Sequence, residues 1–197
     1  GESFSILAEP IKGTRPRGAN RAEDAAFAAE LLASAKDRAE NIMIADLVRN
    51  DLSRICRDHT IREEAVCALA PGAQVHHLVS RISGVLRADV DAVGALAALF
   101  PCGSVTGAPK IEAMRVIADL EGVGRGPYCG AIGYIDDRGG ADFSVAIRTA
   151  LVEGRRLELP VGGGVTLRSD PDAEYEETLD KAAWFLNLAG VDRASLA

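Results

Sequence analysis

Residues 128–161 read YCGAIGYIDDRGGADFSVAIRTALVEGRRLELPV. Apolar and β-branched residues fall into three runs, 128–136, 142–153 and 156–161, each of strand length or longer. The first two are linked by Asp137-Arg138-Gly139-Gly140 and the last two by Glu153-Gly154-Arg155, both sequences suited to hairpin turns. Strands joined by so few residues pair antiparallel, because a parallel neighbour needs a long crossover. This half of the chain therefore predicts an antiparallel meander.

Upstream, Pro109 opens a predicted helix to about Leu120, the usual place for a proline at the first helical position. The segment before it, 100–109 (FPCGSVTGAP), reads as a loop, and 89–99 as an alanine-rich helix. Residues 74–86 (QVHHLVSRISGVL) predict one or two strands. Two helices are predicted over 23–35 and 38–57; in the second, Ile42, Ala45, Val48, Leu52 and Ile55 form one apolar stripe, with Asp46, Arg49, Asn50 and Asp51 on the other faces. In 10–18 (PIKGTRPRG) two prolines and two glycines argue against a regular element. Residues 3–8 read as a strand without an evident partner, a hint that the start of the domain is missing. Downstream, Gly162, Gly163 and Gly164 lead through a polar loop to a helix over 173–188. Strands and helices are mixed and hairpins dominate the second half, so the fold class is α+β with mainly antiparallel sheet.

The chain has 197 residues, enough for one domain or a large piece of one. It has no apolar run of 18 residues, so no membrane span is expected, and its start has no signal-peptide pattern. The net charge of −7 argues against nucleic-acid binding through a basic face. An acidic protein that handles an anionic substrate needs a metal ion or a locally basic pocket. Cys56, Cys67, Cys102 and Cys129 form no C-x-x-C pair and read as reduced thiols of a cytoplasmic protein.

Several constellations can carry chemistry. Glu174, Glu177 and Lys181 share one face of the last predicted helix, and two carboxylates three residues apart suit a hard divalent cation such as Mg²⁺. A solvated face with a Glu–Lys pair gives the same pattern. Asp37 and Glu40 make a second such pair, equally readable as surface charge. Lys12, beside Gly13, can act as a nucleophile where its surroundings favour the neutral amine; a solvated basic loop with Arg15 and Arg17 is the competing reading. Ser104, Thr106 and Gly107 precede the helix at Pro109, where free backbone N–H groups favour an anion or simply cap the helix. The three glycines at 162–164 either let a ligand approach the backbone or form a plain turn. Arg148, among small residues of a predicted strand, either faces a cavity and binds a carboxylate or faces solvent. His76 and His77 point to opposite faces of a strand, so one of them can face a pocket.

The order of these pieces is more specific than any one of them. PIKGTRPRG (10–18), ENIMIADLVRND (40–51), HLVSRISG (77–84), GSVTGAPK (103–110), YCGAIGY (128–134), FSVAIRT (143–149) and the segment 162–181 resemble the chorismate-utilising enzymes, which include anthranilate, aminodeoxychorismate, isochorismate and salicylate synthases. The resemblance covers about residues 9 to 189. It implies two stacked, mainly antiparallel sheets with outer helices and a Mg²⁺-dependent site between them. It implies that Glu40 and Glu177 bind the metal, with Asp37 and Glu174 as supporting carboxylates, and that the ion clamps the ring carboxylate of chorismate. Tyr128 and Arg148 match residues that hold the enolpyruvyl carboxylate, Thr106, Gly162, Gly163 and Gly164 match groups lining it, and His77 matches a pocket histidine; Lys181 stands beside the carboxylates.

Within the family, the reading P-I-K-G-T at Lys12 resembles the members that aminate chorismate at C4, on the path to 4-aminobenzoate and folate; anthranilate synthases usually read P-I-A-G-T. The resemblance implies that Lys12 attacks C2 of chorismate and that ammonia, supplied by a glutamine amidotransferase, then adds at C4. It also implies that this chain corresponds to the C-terminal part of the catalytic domain, with the N-terminal half absent and little activity on its own. The family's general-acid glutamate lies further upstream of the lysine than the 11 residues available here, so that role is not carried to Glu2. Arg168 stands where many relatives have an acidic or small residue.

Overall fold

The computed structural model describes residues 3–167 and 169–192, so Glu2 and Arg168 lie outside the described residues. In chain order the elements are β1 (Ser5–Ala8), β2 (Ile11–Pro16), α1 (Arg21–Ala33), α2 (Ala35–Ser53), β3 (Arg62–Pro71), β4 (Val75–Val85), α3 (Ala92–Leu99), α4 (Gly103–Thr106), α5 (Lys110–Glu121), β5 (Ala131–Ile135), β6 (Ala141–Val145), β7 (Leu151–Glu153), β8 (Arg156–Glu158) and α6 (Pro171–Ala189). The fold is mixed helix and antiparallel sheet, as expected. No single helix among the described residues is long and apolar enough to cross a membrane.

β4 is the organising strand. β3 runs along one edge of it, and β1 and β2 share the other, β1 beside residues 82–85 and β2 beside 75–79, all antiparallel. On β4, His76, Leu78, Ser80, Ile82 and Gly84 are buried in alternation, the period expected when one sheet face is covered. α2 covers it. Ala45, Leu52, Ile55 and Cys56 pack with Ile82, Leu86 and Ala95 into the core, flanked by Ile6, Val48 and Leu99. Ser34, Asp91 and Asp170 cap α2, α3 and α6 by accepting from backbone N–H groups, and Gly190 ends α6 in the left-handed conformation.

Several expectations need correction. Residues 10–18, read as irregular, contain β2. An outer strand tolerates its prolines, since Pro10 precedes the strand and Pro16 ends it, and Gly13 takes up an irregularity at φ +89°. β3 was not anticipated, and the stretch 74–86 holds one continuous strand, Val75–Val85. The stripe on α2 is rotated: Ile42 is exposed, whereas Asn41, Ile44 and Asp51 are buried. The predicted strand 142–153 is broken after Val145. Cys129 and Ala146 extend the β5–β6 hairpin by backbone bonds of 2.9 Å, after which Arg148, at φ +50°, turns the chain away. The loop 100–109 holds the single turn α4. Where the resemblance implies a second stacked sheet there are two separate hairpins, β5–β6 and β7–β8, with no ladder joining them among the described residues.

Candidate active site

The site begins at a β-bulge. Ile11 pairs with Val79 and Thr14 with His77, so Lys12 and Gly13 together oppose Leu78 alone. Gly13 lies against the helices: a Cβ there would sit 3.0 Å from Asp37 Cβ and 3.1 Å from Leu31 Cδ1. Lys12 is half-buried, and its Nζ reaches the glycine triplet, 4.0 Å from where a Cβ on Gly164 would lie.

The rest of the triplet continues the same surface. A Cβ on Gly162 would lie 2.7 Å from Tyr128 Oη, and one on Gly163 would lie 2.9 Å from Glu174 Oε2 and 3.9 Å from both Glu177 Oε1 and Lys181 Nζ. The backbone of residues 162–164 thus passes Tyr128, the acidic face of α6 and Lys12, closely enough at Gly162 and Gly163 that a Cβ would crowd Tyr128 Oη and Glu174 Oε2. Lys181 Nζ donates to the Gly162 carbonyl at 3.0 Å and pairs with Glu177 Oε1 at 2.7 Å. The helix pitch that aligns positions 174, 177 and 181 on α6 aims all three at the triplet.

Glu174 is the unusual member. Its Oε1 accepts from Ser169 Oγ at 2.6 Å, but its Oε2 is shielded from solvent and has no hydrogen-bond partner. A shielded carboxylate oxygen without a partner is costly. With Glu177 Oε1 beside the same glycine, the donor set fits a hard divalent cation. Asp37 lies next to Gly13 but is engaged by Arg15 Nη2 at 3.2 Å, and Glu40 is half-buried one helical turn further on. Among the described residues, no three His, Cys, Asp or Glu side chains converge as a metal cluster, so the two carboxylate pairs are not gathered into one.

His77 is half-buried with Nδ1 3.1 Å from Thr14 Oγ1. His76, on the opposite face, is buried with Nε2 2.9 Å from Asp24 Oδ1. Arg17 grips Asp24 with two bonds of 2.7 and 2.8 Å, and together with the Gly18 N–H holds its carboxyl well below the usual carboxylate range. Arg148 is exposed, two residues past the Ala146–Cys129 pairing, and so lies at the Tyr128 end of the hairpin and not within a strand. Thr106 Oγ1 donates to Cys102 O at 3.0 Å and Gly107 N to Gly103 O at 2.9 Å, so that amide is committed to the turn. All four cysteines are free, and Cys56, Cys67 and Cys129 are buried.

Three supports stand outside the expectations drawn from sequence. Asp51 forms a buried 2.5 Å ion pair with Lys110, whose Nζ also donates to Leu99 O, joining α2, α3 and α5. Asn41 donates to Leu78 O and accepts from Ser80 Oγ, fixing α2 on β4. Arg125 braces Tyr128 and Val105. Asn41 was detectable, because it lies in register with Ala45, Val48 and Leu52; the Asp51–Lys110 pair and the Arg125–Val105 bond answer to partners in other elements.

Comparison with known proteins finds relatives over most of the chain. An aminodeoxychorismate synthase from Streptomyces griseus is 51% identical over 180 residues, covering 91% of this chain and 25% of that protein. Anthranilate synthase component 1 from Saccharolobus solfataricus is 42% identical over 182 residues, covering 92% of this chain and 43% of that protein. The crystal structure of anthranilate synthase component I from Streptococcus pneumoniae superposes with a TM-score of 0.82 at 38% identity, covering 90% of this chain and 39% of that one. A putative 2,3-dihydroxybenzoate-specific isochorismate synthase from Bacillus anthracis gives the same score at 30% identity, covering 98% of this chain and 51% of that one. The chain thus spans between a quarter and about half the length of these relatives. The profile of the chorismate binding enzymes matches residues 3–187, and the chain belongs to that family.

Proposed function

We propose that this chain supplies the catalytic face of an enzyme that aminates chorismate to 4-amino-4-deoxychorismate through a covalent lysine intermediate. The observation that carries the reading is the position of Lys12: the bulge in β2 brings its amine to the triplet that also meets Tyr128, Glu174, Glu177 and Lys181. An alanine at that position has no group to attack the substrate. In the proposed course the Lys12 amine adds at C2 and loses a proton, both ring double bonds shift (C1=C2 to C1=C6, C5=C6 to C4=C5), and the C4 hydroxyl takes up a proton and leaves as water. Ammonia then adds at C4 and loses a proton, both double bonds shift back, and the C2–N bond breaks as the Lys12 amine takes up a proton. Splitting one difficult substitution into two easier displacements is the gain.

Tyr128, Arg148, Thr106 and the backbone of Gly162, Gly163 and Gly164 hold the enolpyruvyl carboxylate in this reading, with His77 in the pocket wall and Lys181 orienting the acidic face. Glu177 and Glu174 would hold Mg²⁺; Glu40 and Asp37 from α2 are the further ligands the resemblance implies, and among the described residues they are not gathered with the α6 pair. A bound Mg²⁺ would supply charge stabilisation for the ring carboxylate. Ammonia from a glutamine amidotransferase and a cytoplasmic setting belong to the same proposal. The test is a product assay with full-length protein, chorismate and ammonium. Aminodeoxychorismate is expected; anthranilate fluorescence with no aminodeoxychorismate makes the protein an anthranilate synthase instead.

A further inference from the structure

Arg125 touches both the α4 turn and Tyr128. Its Nε and Nη2 donate to the two carboxylate oxygens of Glu121 at 2.9 and 2.6 Å. Its Nη1 donates to Val105 O at 3.1 Å and lies 3.4 Å from Cys129 Sγ. Its Cζ stands 5.6 Å from the centroid of the Tyr128 ring. Val105 precedes Thr106 in the α4 turn, and the Tyr128 hydroxyl faces Gly162. One planar group thus ties the α4 turn to the aromatic wall. Five N–H donors in a rigid fork make this possible, and a lysine could not satisfy the same set. Glu121 neutralises the guanidinium, so the residue's contribution is geometry more than attraction for an anion.

We propose that Arg125 is a positioning residue that fixes the α4 turn and Tyr128 as one wall, and so sets the affinity of the site for the carboxylate end of its substrate. This rests on reading that wall as the anion-binding side of the chorismate site.

The test is steady-state kinetics of the full-length protein with chorismate. Arg125→Gln and Arg125→Lys are each expected to raise KM about tenfold while kcat stays within about threefold, as for loss of binding shared by ground and transition states. Recovery of wild-type KM by Arg125→Lys overturns the proposal, because charge would then suffice. So does an unchanged KM in Arg125→Gln when Tyr128→Phe raises it. If Tyr128→Phe itself leaves KM unchanged, the reading of the wall fails and this proposal fails with it. Should Arg125→Gln not fold, Glu121→Gln releases the guanidinium from a partly exposed partner; a raised KM is expected, and an unchanged one overturns the proposal.

Discussion

Lys12 owes its direction to the residue after it. Gly13 adopts φ +89° and sits where a methyl group would crowd Asp37 and Leu31, and the extra residue turns the amine toward the triplet. Lys12→Ala is expected to lower kcat of the full-length protein at least about a hundredfold with the fold intact, because a nucleophile is lost and no packing is. Steady-state turnover with ammonium, beside a thermal melt, checks this. Glu174 makes a separate prediction. Its shielded Oε2 has no protein partner, so Mg²⁺ is expected to raise the melting temperature of the wild type and to raise it markedly less in Glu174→Gln. Equal shifts in both would remove Glu174 from the metal site.

At the scale of elements, the bulge and the core are linked through α2, whose first half carries Asp37 and Glu40 and whose second half buries Leu52. Gly13→Ala forces a left-handed backbone on a residue with a Cβ and closes on Asp37, so a loss of about 1–3 kcal/mol is expected, measurable by denaturant unfolding. The helices were legible because their apolar spacing and caps are local, and the α6 triad because pitch alone aligns it. β2 was not, because its prolines and glycines speak against a strand until β4 is present to pair with them. Arg148 was misplaced for the opposite reason: an unbroken apolar run concealed a turn that pairing with Cys129 imposes. The Asp51–Lys110 pair was invisible because helix phase located Asp51 on a polar face, and the cation that allows its burial lies 59 residues away (110 − 51 = 59).

Across the whole molecule, Arg17, Asp24 and His76 tie α1 to the sheet. Asp24 titrates lower in the folded chain than in the unfolded one, so its contribution is complete above the unfolded carboxylate value of about 4 and vanishes as pH falls through the depressed folded value. Asp24→Asn is therefore expected to be less stable than wild type near neutrality, the difference narrowing as solutions are acidified below pH about 4. Thermal melts across that range measure it, and a gap independent of pH contradicts it.

The irregularity in β2 also makes the chain sensitive to length at one point. Removing Gly13 restores a one-to-one match with β4 and sets Lys12 opposite Leu78, on the side packed beneath the helices. A single in-frame codon loss would exchange the surfaces that the amine and its neighbour occupy. A lysine would then enter a space that now admits only a glycine, against Asp37 and Leu31, so length here matters as much as residue identity.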